Sequence, residues 1–194
     1  MNDVRVDLER SVAFLTDSED GGLIVLDLDD GGSRKVLRNH PSTRAEDFVL
    51  TVEGRQREKP VQADGIALSP DRRWVYYAAL TGHTLYRIPA AALADPKQDD
   101  AELARQVEKV HEIAATDGIA FDPAGQLFLG GLEDGSVYLL TPGGRYVRLL
   151  RDERLSWPDS FAVEADGAVL VTTSQIHLPP AERGPYRLFR LRVP

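Results

Sequence analysis

Hydrophobic residues in this chain fall in short runs separated by Gly, Asp and Pro, the punctuation of strands joined by tight turns. Four segments repeat one layout: a short polar residue, a small or polar residue, alternating apolar positions, a turn, then an apolar run. Asp64-Gly65-Ile66-Ala67-Leu68-Ser69-Pro70-Asp71 and Asp117-Gly118-Ile119-Ala120-Phe121-Asp122-Pro123-Ala124 match most closely. Asp159-Ser160-Phe161-Ala162-Val163-Glu164 is the third copy, and Asn2-Asp3-Val4-Arg5-Val6-Asp7 opens the chain as the fourth. Second strands are predicted at Val12–Thr16, Trp74–Ala78, Leu127–Gly130 and Val169–Thr172. Third strands, alternating as half-buried strands do, are predicted at Leu23–Asp27, Thr84–Ile88, Ser136–Leu140 and Tyr186–Leu191. A fourth, outer strand shows only in part, as at Tyr146–Leu150.

Three or four antiparallel strands per repeat, with starts near residues 2, 64, 117 and 159, define a blade of an all-β propeller. The last interval, 42 residues, matches a blade of about 40–45 residues. The longer intervals contain insertions. Residues 99–113 read as a short helix, with acidic residues at its start and Leu103, Val107, Val110 and Ile113 at helical spacing. The polar stretch from Asn39 to Gln62 reads as a long loop carrying one outer strand.

Composition narrows the chemistry. The 194 residues carry 23 Lys and Arg against 31 Asp and Glu, a formal charge of −8, which argues against nucleic acid or anionic lipid as a partner. There is no Cys, so disulfide scaffolds, thiolate metal sites and thiol nucleophiles are excluded. No apolar run approaches the roughly 20 residues of a membrane span. The first residues lack the basic and apolar segments of a signal peptide. No P-loop, nucleophile elbow or zinc-helix motif is present.

Equivalent positions at the start of innermost strands converge on a propeller's axis. Asn2, Asp64, Asp117 and Asp159 are such equivalents, so a carboxamide and three carboxylates are expected at one channel mouth as a ligand-binding set. Carboxylates so close need a cation, a shared proton or intervening water. Oxygen ligands of this kind suit a divalent cation such as Ca²⁺. The competing reading is structural, since a short polar residue before a strand fixes turns through backbone N–H groups. Trp157, just before the fourth axial residue, either lines the pocket or seals the core between blades. His177, in a Pro-rich loop, is a weaker ligand-binding candidate, and His83 and Asp17 read as turn residues.

The segment from Asp64 through Trp74-Val75-Tyr76-Tyr77-Ala78-Ala79-Leu80-Thr81-Gly82-His83 to Pro89 resembles the Yellow/major royal jelly protein family. So do Asn2–Asp7 with Thr16-Asp17-Ser18, and Trp157-Pro158-Asp159-Ser160 with Thr173-Ser174-Gln175. The resemblance implies a six-bladed propeller, related to senescence marker protein/gluconolactonase propellers, of which four blades and the family's C-terminal end lie here. The missing N-terminal blades are then a partner of this chain, and the first and last repeats are expected to border exposed apolar surface, at Val12–Leu15 and Leu188–Val193. It further implies a secreted or periplasmic protein. By motif register the lactonase relatives place metal ligands at Asp64 and Asp117, with Asp117 also the general base and Asn2 on the substrate side. Asp64 stands where those relatives carry Asn, and their first-blade Glu has no counterpart here. Three functions are therefore carried forward. The first is small-molecule binding in the channel, with amines as one implied ligand class; the second is a metal-dependent lactonase; the third is a scaffold for another macromolecule.

Overall fold

The computed structural model describes residues 1–192; Val193, assigned above to the last strand, lies outside the described residues. The first blade is β1 (Val4–Asp7), β2 (Val12–Thr16), β3 (Leu23–Asp27) and β4 (Ser33–Val36), antiparallel and paired in sequence order. A separate hairpin follows, β5 (Leu50–Val52) and β6 (Arg55–Arg57). The second blade is β7 (Ala63–Leu68), β8 (Trp74–Ala79), β9 (Thr84–Pro89) and β10 (Glu108–Glu112), with helices α1 (Ala90–Ala94) and α2 (Asp100–Ala104) between its last two strands. The third is β11 (Ile119–Phe121), β12 (Leu127–Gly131), β13 (Ser136–Leu140) and β14 (Tyr146–Arg151). The fourth is β15 (Pro158–Val163), β16 (Val169–Thr173) and β17 (Leu188–Leu191). The chain is thus an all-β propeller arrangement of four blades with two short helices.

The core lies between successive blades. Phe14 and Val25 of the first sheet pack with Ile66, Tyr77 and Ile88 of the second, closed from outside by Leu93 and Leu103 of the helices. Leu85 and Ile113 meet Leu127, Leu129 and Leu140 across the next gap. Phe128, Val137 and Leu139 meet Val169 and Val171 across the last. Each such side chain contributes roughly 1.5–3 kcal/mol by leaving water.

Two expectations are corrected. The helix expected over 99–113 is only the single capped turn of α2: Asp99 accepts from the Glu102 N–H at 2.8 Å, and Glu102 accepts from the Asp99 N–H at 3.0 Å. Residues 108–112 instead form β10, which pairs with the otherwise open edge of β9. A bulge between Lys109 and His111 leaves Val110 and Ile113 three apart on one core, while Val107 packs on the core of the preceding gap, and together they imitate a helix. The stretch from Asn39 to Gln62 holds a hairpin, not an outer strand. Glu53 (φ 51°) and Gly54 (φ 77°) form its two-residue turn, a type I′ signature between short alternating runs. The outer strand of the first blade is β4, ahead of that stretch.

Exposure of the terminal blades also differs from expectation. Val12, Ala13 and Phe14 are buried, and it is Val4 (44% exposed) and Val6 (50%) of β1 that present the outward face of the first blade. At the other end Leu188 is 64% exposed on the outward face of β17. Such faces favour association. Light scattering is expected to show self-association of the chain, and Val6→Lys to move the apparent mass toward a single 21.4 kDa chain.

The Gly after Asp64 and after Asp117 has a steric cause. A Cβ on Gly65 would collide with the Asp117 carbonyl oxygen, and one on Gly118 with that of Asp159. The inner strands of the second and third blades therefore lie directly on the backbone of the next blade. Gly118→Ala is expected to cost about 1–3 kcal/mol, as overpacking against fixed backbone does. Gly143→Ala, whose Cβ would meet nothing nearer than 3.9 Å, is expected to leave thermal melting unchanged.

Candidate functional site

The axial positions hold one another by a chain of contacts. The Asn2 side-chain amide donates to Asp64 Oδ1. Thr16 Oγ1 donates to the Asp64 carbonyl at 2.5 Å and accepts from the Asp3 N–H at 3.1 Å, tying first blade to second. The Asp64 and Asp117 carboxyls hydrogen-bond each other. Trp157 Nε1–H donates to Asp117 Oδ2 at 2.6 Å, joining the fourth blade to the third. A bulge between Ala63 and Ile66 lets Asp64 turn to the axis while Gly65 lies against the next blade. A second bulge, between Pro158 and Phe161, falls at Asp159.

Asn2, Asp64 and Asp117 line one cavity of about 390 Å³ at the axis, together with Glu19, Arg57, Lys59 and Ile176. Asp159 acts on Asp117 by its charge but does not line that cavity; its Oδ1 accepts from Ser160 Oγ at 2.9 Å. Trp157 is fully buried and stands behind Asp117, with its ring in a core of Leu50, Val52, Leu80, Ala115 and Leu132. The two readings of Trp157 therefore divide the side chain: the ring seals the core, and the N–H serves the axis. His177 stacks on the far side of that ring at 5.5 Å and reaches Glu53 at 3.1 Å, away from the cavity. His83 stacks on Phe48 and pairs with Glu133 at 2.8 Å at the surface. Asp17 accepts from the N–H groups of Glu19 and Asp20 and from Lys35, as a turn former does.

Electrostatics at the axis are those of two acids deprived of water. Burial, then the neighbouring Asp117 charge, pushes the Asp64 carboxyl far above the usual carboxylate range. Asp117 is raised less, by burial and by Asp159, with the Trp157 N–H opposing the shift. Both acids are thus held above the usual carboxylate range, and as a pair they favour retaining a proton, Asp64 more strongly than Asp117. Asn2, Asp64 and Asp117 offer an oxygen-only donor set. Among the described residues no group of three carboxylates or imidazoles is arranged to hold a metal. These donors fall short of the six to eight oxygens of a calcium shell.

The residues that sequence reasoning missed are Arg57 and Lys59, delivered by the hairpin and the segment after it. The Glu53-Gly54 turn was the available signal for the hairpin, though not for where its end would dock.

A propeller whose inner strands carry a buried acid pair on the axis is the class that fold and site define. Residues 1–177 match the Major royal jelly protein family, and the chain belongs to that family. It is 31% identical over 110 residues to the 6-deoxy-6-sulfogluconolactonase of Pseudomonas putida, a match covering 54% of this chain and 37% of that protein. A gluconolactonase structure from Xanthomonas campestris is similar with a TM-score of 0.58 at 12% identity, over 88% of this chain and 52% of that one. A chain of the nidogen/laminin complex is similar with a TM-score of 0.64 at 15% identity, over 95% and 62%. These structural likenesses show the fold alone. In each case less than two thirds of the relative's length is spanned.

The acid pair makes stability depend on pH. Unfolded, Asp64 ionises in the ordinary carboxylate range; folded, it keeps its proton well above that range. The folded state thus binds the extra proton, and this group's contribution to stability is lost as pH rises from the carboxylate range through neutrality. Asp64→Asn mimics the protonated acid and cannot ionise. It is expected to raise the melting temperature at about pH 8 by about 2–4 °C, the equivalent of ~1 kcal/mol at this size, and to flatten its fall from about pH 5.

Proposed function

We propose that this propeller binds a small sugar-type lactone in the axial cavity and hydrolyses it with the Asp64–Asp117 pair. The observation that carries the reading is the pair of adjacent buried carboxyls at the cavity wall, an environment that favours one protonated and one ionised member. Catalytic carboxyls split in this way divide the work between them. Asp117, the ionised member, takes a proton from water as its oxygen bonds to the lactone carbonyl carbon. Asp64, the protonated member, gives its proton to the ring oxygen as the carbonyl carbon–oxygen ring bond breaks. The product is a hydroxy acid, and the hydrogen bond between the carboxyls returns the proton from Asp117 to Asp64. Asn2 holds Asp64 and Trp157 holds Asp117, so both acids meet the ligand in fixed orientation. The lactonase relative in Pseudomonas putida supports the substrate class.

A divalent cation enters this proposal only with ligands added by water or by chain outside these residues. Calcium titration by calorimetry, with Asp117→Asn beside the native protein, tests for one: heat lost in that variant places the ion on the axis.

The reaction is tested by following acid release from glucono-δ-lactone. Asp117→Asn is expected to lower kcat by about 10²–10⁴-fold, the usual worth of a positioned general base. Asp64→Asn is expected to lower it comparably by removing the acid. Calorimetry on the same variants separates the outcomes: retained ligand binding with no hydrolysis in the native protein leaves a binding propeller and removes the enzyme.

A further inference from the structure

We propose that Arg57 and Lys59 recognise a terminal anionic group, such as a phosphate, sulfate or carboxylate, on a sugar-type ligand held in the axial cavity. The inference deepens the proposed function and rests on it for the ligand's sugar character. Arg57 ends β6, and Lys59 follows on the segment leading to β7. Both line the cavity that Asn2, Asp64 and Asp117 line from the inner strands. The guanidinium carbon of Arg57 stands 5.2 Å from the centroid of the Trp157 ring. Its Nε is buried and has no hydrogen-bond partner.

Among the described residues no carboxylate lies within ion-pair distance of either cation, although Glu19 lines the same cavity. Their neighbour on the hairpin, Arg55, behaves differently and pairs with Glu182. Other basic residues at partly covered positions spend their donors within the protein: Lys35, Arg10 and Arg87 on carboxylates, and Arg34 and Arg183 on backbone carbonyls. Arg57 lines the cavity with a buried N–H that has no such partner, and Lys59 lines it alongside. A buried donor left without a partner carries a desolvation cost that an incoming anion relieves. Stacking on Trp157 fixes the guanidinium plane, and a fixed fork of N–H groups suits an oxyanion better than a mobile ammonium does.

The arrangement separates two tasks. The acid pair meets the reacting carbonyl on the inner strands, and the cations grip the far end of the ligand from the hairpin.

The test uses four sugars that differ only at the terminal carbon: glucose, glucose 6-phosphate, glucose 6-sulfate and glucuronate. Binding to the full-length protein is followed by calorimetry and by Trp157 emission in a Trp74→Phe background, since drawing Arg57 off the indole changes that emission. The anionic sugars are expected to bind about tenfold more tightly than glucose, the worth of one charge-assisted bidentate contact. Arg57→Gln is expected to erase that preference while glucose binding stays unchanged. Arg57→Lys retains part of it, and Lys59→Ala reduces it about threefold, as loss of a more exposed point charge does. Arg55→Gln on the same hairpin is expected to leave it intact. The order among the three anions identifies which group is preferred. Glucose binding as tightly as its anionic relatives overturns the proposal. So does equal loss of preference in Arg55→Gln and Arg57→Gln, which makes the effect one of hairpin folding. Glucono-δ-lactone hydrolysis is read in parallel. Anion preference without hydrolysis removes the lactonase reading alone, and hydrolysis without preference removes this inference alone.

Discussion

Backbone laid on backbone around the propeller axis is the constraint from which the site follows. Gly65 rests on the carbonyl of Asp117, and Gly118 on that of Asp159. With a glycine there is no room for a side chain between the inner strands, so Asp64 and Asp117, which precede these glycines, turn their side chains to the axis. Two acidic side chains are thereby collected in a space that excludes most water, with Asn2 and Asp159 at its margin. Ionising all of them there is prohibitive, because each charge loses hydration and repels the next. Asp64 and Asp117 relieve this by holding a proton between them, and Asp159 does so by staying half-exposed with the Ser160 hydroxyl. The acid–base character of the pair is thus a consequence of packing rather than an addition to it.

Much of this was legible in the repeats, because the residues concerned lie at fixed offsets within each copy. The Asp-Gly openings, the second strands and the alternating third strands each appear where local spacing placed them. The errors have local causes as well. Val107, Val110 and Ile113 have helical spacing because the bulge in β10 sets Val110 and Ile113 three apart and Val107, ahead of the strand, packs on a different core. The hairpin was overlooked because β5 and β6 have only three residues each, and Glu53-Gly54 is easily absorbed into a polar stretch. What no local pattern carries is docking. That Arg57 ends over Trp157, a hundred positions away, depends on Leu50 and Val52 of the hairpin finding a core with Leu80, Leu132 and Trp157. The identity of the acidic partner of Asp117 is similarly non-local, though repeat equivalence stood in for it.

Trp157 connects these levels. It takes a left-handed backbone conformation, φ 52°, immediately before Pro158, which a bulky residue adopts only when its surroundings fix it. Its ring is gripped by the apolar hairpin residues and by His177, and its N–H meets Asp117. His177 in turn reaches Glu53 in the turn of the hairpin. Hairpin, fourth blade and axial acid are thereby one mechanical unit. A change in the hairpin reaches Asp117 through a single indole, without touching the inner strands.

The two halves of the cavity nevertheless have different origins. The acid pair comes from repeat-equivalent positions of the second and third blades, where close backbone packing demands glycine after the acid. The cations come from an insertion between blades that no repeat constrains. Loops placed on a rigid scaffold are where recognition is free to change. Substituting the less buried residues that end the hairpin, such as Arg57, changes the cavity wall while leaving the Leu50 and Val52 core contacts in place. Substituting Asp64, Gly65, Asp117 or Gly118 alters the propeller itself. In this arrangement the acid pair is set by the geometry that packs the blades on one another, and the cations by the segment that geometry leaves unconstrained.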